Sequence, residues 1–381
     1  MGSKVSMLAG TLGDQLTALA PDAERFVDLF AGSGAVSRYV ATTTTTPVVA
    51  LDLMAYSSAI TAGTVTRTGK VDAARLFQAW EARADRWLRE NANLLKAAAA
   101  ASSPQSENDV SGARALCRAH IEGAFIWSDY GGYYYSPLQA LHLSALHSTL
   151  PVRAPSRTVA LAALLRTASR ASASPGHTAQ PFRPTERLLP HLRSAWSIDV
   201  RREVRRQLEG LAPFPAKVQG QVITGDSVAY AQRHVRDGDL VFCDPPYSEA
   251  QYSRFYHVLE GIARGGWISV SGAGRAPSGA DRPSSDFSRR TRAIAATENL
   301  LTALAKRRTT VLWTYPEGER SNGLTVEDIR RAASEFFTIK ETRIPMRHST
   351  LGGSKENGAQ RLGRKELHEV LFRFESKATT S

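Results

Sequence analysis

Cysteine is scarce in this 381-residue chain: Cys117 and Cys243 are the only two. Two cannot make a disulfide framework, and neither sits in a zinc-ligand spacing. No stretch approaches the roughly eighteen apolar residues that a membrane-spanning helix needs. The opening "MGSKVSMLAG" lacks the apolar core of a signal peptide, so a cytoplasmic setting is expected. Missing too are the Gly-Lys-Ser/Thr end of a phosphate loop and the third glycine of the dinucleotide fingerprint. There is no internal repeat. Acid is in deficit, 36 residues against 48 basic ones, giving a formal net charge of +12 and a pI near 9.9. Such an excess favours a polyanion partner, because each neutralised phosphate releases condensed counterions. A charge that only keeps the protein soluble is the plain alternative. The hydrophobic content of 42% and the mean hydropathy of -0.27 are those of a globular protein. The length suits one large domain with a sizeable insertion.

Strand–turn–helix patterns open the chain twice. In "RFVDLFAGSGAVSRYVA" an apolar run, Phe26 to Phe30, leads through small residues into a helical pattern from Ala35. A strand from Val48 to Leu51 with Asp52 at its end repeats the plan. Two such units in succession predict a parallel, doubly wound sheet. From about Val71 the pattern turns helical: one long amphipathic segment to about Ala101, then segments at 113–122, 137–148 and 159–171. Sheet pattern resumes near Ala216 with "KVQGQVITGDSVAYAQ", "DLVFCDPPY" and "TTVLWTYP", and "FFTIKETRIP" with "KELHEVLFRFES" reads as a closing antiparallel pair. The expected organisation is therefore a sheet domain made of 1–70 and 216–381, interrupted by a helical insertion at 71–215.

Open α/β sheets bind ligands beyond the carboxyl ends of their strands. Four marked ends occur: Asp28 to Gly34, Asp52, Asp226, and Asp244 to Tyr247. Gly32 and Gly34 suit a sharp turn that lets backbone approach a ligand closely. Asp52 falls about twenty residues on, where an acid grips ribose hydroxyls in nucleotide-binding sheets. Many tight turns share a Gly-x-Gly; the acid at that offset strengthens the ligand reading. At the other end, Pro245 and Pro246 remove N–H donors, so the turn presents carbonyl oxygens beside the Asp244 carboxylate. Paired acceptors suit an exocyclic amino group, which has two N–H bonds to give. Tyr247 adds a flat face, and base stacking on such a ring contributes about 1–3 kcal/mol. A strand-end acid before two prolines can also be a plain turn. Cys243 is adjacent, but strand alternation points it away from Asp244 and the apolar run reads as burial.

The order "FAGSG" then "DPPY", with helical sequence between, resembles the S-adenosylmethionine-dependent DNA N6-adenine methyltransferases. "MGSK", "YGGYYYSPLQA", "DPPYSEAQYSRFYHVLE" and "HSTLGGSKENGA" are similar to segments of that family, so the resemblance spans nearly the whole chain and is weakest in the insertion. It implies a Rossmann-like class I methyltransferase sheet and S-adenosylmethionine as cofactor. The 71–215 insertion would be the target-recognition region. The cofactor's methionine part would meet Phe30, Ala31, Gly32, Ser33 and Gly34, with Asp28 in support, and its carboxylate Ser3 and Lys4. Asp52 and Leu53 would hold the ribose; Asp226 and Ser227 would lie near the cofactor adenine. Asp244 and the Pro245 carbonyl would accept the target amino protons, with Pro246 shaping the turn and Tyr247 stacking on the base. No metal is required. Because the amine is inside the duplex, the adenine would be flipped out. RNA adenine or cytosine N4 as target, or an inactive DNA-binding fold, are the alternatives; Asp rather than Ser at position 244 favours adenine. The family also implies a restriction, defence or epigenetic setting with partner proteins to match.

For the DNA itself the candidates are Arg201 and Arg205 in "RREVRRQLEG", Trp127, Tyr130, Tyr133 and Tyr134 in "FIWSDYGGYYYS", and Arg275 and Arg282 in a Gly/Ser-rich loop. Core aromatics and a solvated charged face are the competing readings. Arg347, His348 and Lys355 lie in a second polar loop, and His177 has no assigned role.

Overall fold

The computed structural model describes residues 4–346 and 367–377. Ser3, Arg347, His348 and Lys355 therefore lie outside the described residues. Seven strands are found among those described: β1 Arg25–Asp28, β2 Val48–Asp52, β3 Gln221–Thr224, β4 Asp239–Cys243, β5 Thr310–Pro316, β6 Phe337–Met346 and β7 Leu367–Ser376. Two compact units emerge, one made of 1–53, 225–249 and 285–381, the other of 54–224 and 250–284.

Six strands belong to the first unit, in the order β2-β1-β4-β5-β7-β6. β1, β2, β4 and β5 are parallel, and β7 runs antiparallel between β5 and β6. β4 is buried along its whole length, as a central strand covered on both faces must be, and that is why "DLVFC" reads as a continuous apolar run. The chain goes from β1 to β2 on one side and returns with β4 on the other. A crevice forms at such a reversal, outside the carboxyl ends of the two strands. Here Asp28 ends β1 and Asp244 follows β4. The expected closing pair exists as β6 and β7, in register from Phe337 with Ser376 to Met346 with Leu367.

The second unit is helical apart from β3. Its core gathers Trp80, Trp127, Tyr130, Tyr134, Tyr135, Leu141, Leu164 and Val204, joined by Tyr256, Val258, Leu259 and Ile262 from the segment after the Asp-Pro-Pro-Tyr turn. The expected long helix is two, Ala73–Glu90 and Ala92–Ala100. Asn91 parts them: its backbone leaves the helical region, and its side-chain amide donates to the Trp87 carbonyl instead. The next helix starts earlier than expected, at Glu107, because Ser106 and Asp109 form a capping box within the polar stretch. Pro137–Ser148 is likewise opened by a capping box, between Ser136 and Gln139. Among the described residues no helix is long and apolar enough to cross a membrane. Charge divides unevenly: the second unit has 25 basic and 14 acidic residues, carrying +11 of the chain's +12.

Candidate active site

Asp28, at the end of β1, is 1% exposed. Its carboxylate accepts the Ser37 hydroxyl at 2.6 Å and the Phe30 N–H at 3.3 Å. Burial pushes its pKa up to about 7, against those two hydrogen bonds. The chain then turns through the small residues. Ala31 donates to the Leu51 carbonyl at 2.9 Å and Gly32 to Asp52 Oδ2 at 2.8 Å, so β2 fixes the turn from the side. Gly32 and Gly34 have φ of +53° and +71°, a region that glycine enters without the Cβ penalty. Gly34 caps the Ala35–Thr43 helix. Among the described residues, a Cβ placed on Gly32 would meet only the Phe30 carbonyl, at 3.8 Å. Ser33 and Leu53 are half-buried beside it and Ala31 is buried.

On the other side of the reversal, Asp244 Oδ1 is held twice. Thr314 of β5 donates its hydroxyl at 2.9 Å, and Lys4 Nζ stands at 3.0 Å. Oδ2 takes no hydrogen bond from the described residues. Lys4 also contacts Glu369 of β7, a carboxylate only 2% exposed. Burial works to lower the Lys4 pKa, but Asp244 and Glu369 outweigh it and leave the ammonium above its ordinary value. Pro246 is pinned by Asn322, whose amide donates to the Pro246 and Phe287 carbonyls at 3.0 Å each. Tyr315 orients that amide by donating to its oxygen at 3.0 Å. Phe287 in turn meets Phe30 edge-on, with centroids 5.1 Å apart. One continuous set of contacts thus ties the glycine turn to the Asp-Pro-Pro-Tyr turn. The Arg320 guanidinium lies 5.9 Å from the Tyr247 ring centre, and burial followed by the Asp244 charge raises the tyrosine's pKa. Cys243 is fully buried, its thiol pushed up by desolvation.

Asp28, Phe30, Ala31, Gly32, Ser33, Gly34, Asp52, Leu53, Asp226, Ser227, Asp244, Pro245, Pro246 and Tyr247 all fall in the first unit. Two have other engagements. Asp226 caps the Ser227–His234 helix by accepting the Ala229 N–H at 2.9 Å, and Ser227 is buried behind it. Lys4, expected on a cofactor carboxylate, is committed to two protein carboxylates. Thr314, Asn322 and Glu369 were missed. Thr314 had a signal, since it lies near the carboxyl end of a strand; for Glu369 there was only an acid at the head of the apolar run Val370–Phe372.

The nucleic-acid candidates divide. Trp127, Tyr130 and Tyr134 are 0% exposed, which corrects the expectation of a groove-reading loop. Their bulk fills the helical core. Trp127 donates to the Ala119 carbonyl, and the Tyr134 hydroxyl lies within hydrogen-bond distance of the Thr178 and Gly274 carbonyls. Tyr133 alone of the four is partly exposed, with Arg114 at 4.5 Å and Arg275 at 5.2 Å from its ring centre. Arg275 also has a left-handed φ of 48° and donates to the Asp129 carbonyl. Arg201 is tied to Glu81 and Asp85, and Arg205 to Glu209. Arg282 is half-buried, and its Nε has no hydrogen-bond partner among the described residues.

None of the curated proteins matches the chain. The model of the D12 class N6 adenine-specific DNA methyltransferase family matches residues 1–93 and 195–273, which include both the glycine turn and the Asp-Pro-Pro-Tyr turn. With the strand reversal, the glycine turn and the acid-proline-aromatic end of β4 gathered in one unit, the chain is similar over these two segments to the D12 class of N6 adenine-specific DNA methyltransferases.

Proposed function

We propose that the protein uses S-adenosylmethionine to methylate N6 of an adenine turned out of a DNA duplex. One observation carries the reading: Asp244 Oδ1 is occupied by Lys4 and Thr314, while Oδ2 takes no hydrogen bond from the described residues. A carboxylate gripped on one oxygen can only be approached on the other. Oδ2 and the Pro245 carbonyl are then the two acceptors for the two N–H bonds of an exocyclic amine. Accepting both protons localises the nitrogen lone pair, which in adenine is otherwise spread into the ring, and the preorganised acceptors cost no reorganisation. With an ammonium on Oδ1, Asp244 serves as an acceptor and orienting group; the amine's proton leaves once the nitrogen carries positive charge. Tyr247 offers the stacking face. The target amine is inaccessible in a paired base, so the base must leave the stack.

The left-handed glycine turn suits a cofactor that approaches backbone closely, and Asp52 holds that turn through the Gly32 N–H. Phe30, Ala31, Gly32, Ser33 and Gly34 would line its methionine part, with Asp52 and Leu53 at the ribose and Asp226 and Ser227 near the adenine. When bound, S-adenosylmethionine supplies an electrophilic methyl group. The excess positive charge of the second unit supports a duplex partner there. Within it, Tyr133 with its two arginines is the best-formed contact for sugar-phosphate and base. Purified protein incubated with methyl-labelled S-adenosylmethionine and unmodified DNA should yield labelled N6-methyladenine in a nucleoside digest. Label found only in N4-methylcytosine, or only in protein, would contradict the proposal.

A further inference from the structure

Glu369 lies far outside the matched segments, 365 positions from Lys4 along the chain, yet the two side chains meet in the interior. Strand register explains how. Cys243 of β4 pairs with Trp313 of β5, so Asp244 falls level with Thr314. Thr314 pairs with Leu371 of β7, and Glu369 is two residues along on the same face, opposite Pro316. Asp244, Thr314 and Glu369 therefore stand on one side of the sheet at its carboxyl end. Lys4 reaches them from the N-terminus and is itself buried.

We propose that Glu369 is a positioning residue for methyl transfer: its buried carboxylate fixes Lys4 Nζ against Asp244 Oδ1 and so leaves Oδ2 to the target amine. The inference rests on the role given above to Asp244. A lone buried ammonium would lose its proton or withdraw toward water, because desolvation penalises its charge. A second carboxylate holds it in place. Lys4 then prevents Asp244 from turning its occupied oxygen outward, and it keeps the carboxylate an acceptor. The ionisable groups around this ammonium are Asp244 and Glu369 in direct contact and Tyr247 and Arg320 farther out, with Asp28 acting on Asp244.

The test is a double-mutant cycle in the full-length enzyme with Glu369→Gln and Lys4→Met, singly and together, read as kcat against pH. Alongside it, the Lys4 ammonium is titrated by nitrogen NMR. Glu369→Gln should lower kcat about tenfold in the wild-type background and less than twofold once Lys4 is methionine. Its alkaline limb and the Lys4 titration should both move down by about one pH unit or more. Equal losses in the two backgrounds, or a Lys4 titration that does not move, would overturn the proposal. Glu369→Asp, one methylene shorter, should give an intermediate shift and replaces Glu369→Gln should that variant not fold. The titration needs no turnover. Absence of N6-methyladenine from the wild type would therefore count against the functional reading, while the titration still decides whether Glu369 holds Lys4.

Discussion

Asp28 shows how far the site departs from an ordinary surface. Its carboxyl is buried against Ser37 and the Phe30 amide, with a pKa near 7. An unfolded chain releases that proton at about 3.9. Below that value both states hold it; between there and about 7 only the folded state does. The stability that Asp28 contributes is therefore complete below about pH 4 and is lost as pH rises toward 7. Asp28→Asn keeps a side-chain oxygen and removes the titration. Melting temperatures at pH 5 and pH 8 should show a fall for the wild type that is clearly smaller in the variant; equal falls would mean that burial does not govern this group. Single residues were also where sequence reading reached least. Asp244 and Tyr247 announce themselves through their prolines, but nothing in "MGSK" says that its lysine pairs with an acid from β4 and another from β7. Those partners are chosen by strand register, which no local pattern encodes.

Element by element, legibility follows burial. Strands β1, β2, β4 and β5 could be read because covered parallel strands are apolar throughout, and the Pro137–Ser148 helix because Ser136 and Pro137 mark its start. Asn91 and Ser106 moved the helix ends elsewhere, since a single capping side chain outweighs several residues of periodicity. The Ala55–Val65 helix shows a contribution invisible to such reading. It has no side-chain cap of its own. Instead Glu260, fully buried in the His257–Arg264 helix, accepts the Ala55 and Tyr56 N–H groups at 3.1 and 3.0 Å and pairs with Arg264. Glu260→Ala leaves two helix-end donors and a guanidinium without their acceptor. Denaturant unfolding should show a loss of about 3 kcal/mol; a loss under 1 kcal/mol would mean that water replaces the carboxylate. In the same segment Tyr256 is core, packed on Tyr56 and Tyr252.

At the scale of the molecule, chemistry and charge are separated. The sheet unit holds the glycine turn, the Asp-Pro-Pro-Tyr turn and almost no net charge, while the helical unit has nearly all of it. Composition revealed the excess but not its segregation, because the sheet unit is assembled from three stretches of chain. Fold class was legible from two strand–turn–helix repeats; Trp127, Tyr130 and Tyr134 were misread because the polar flanks of their loop conceal rings that fill the helical core, while Tyr133 stays partly exposed. The central claim is that Asp244 orients the target amine with one oxygen while the other is held. It is tested most directly by measuring N6-methyladenine formation by Asp244→Ala beside calorimetric binding of S-adenosylmethionine. The account predicts that methyl transfer drops by about a hundredfold or more, as when a preorganised polar group is removed from a reacting centre, while cofactor affinity stays within a few-fold. Transfer within a few-fold of wild type would contradict it.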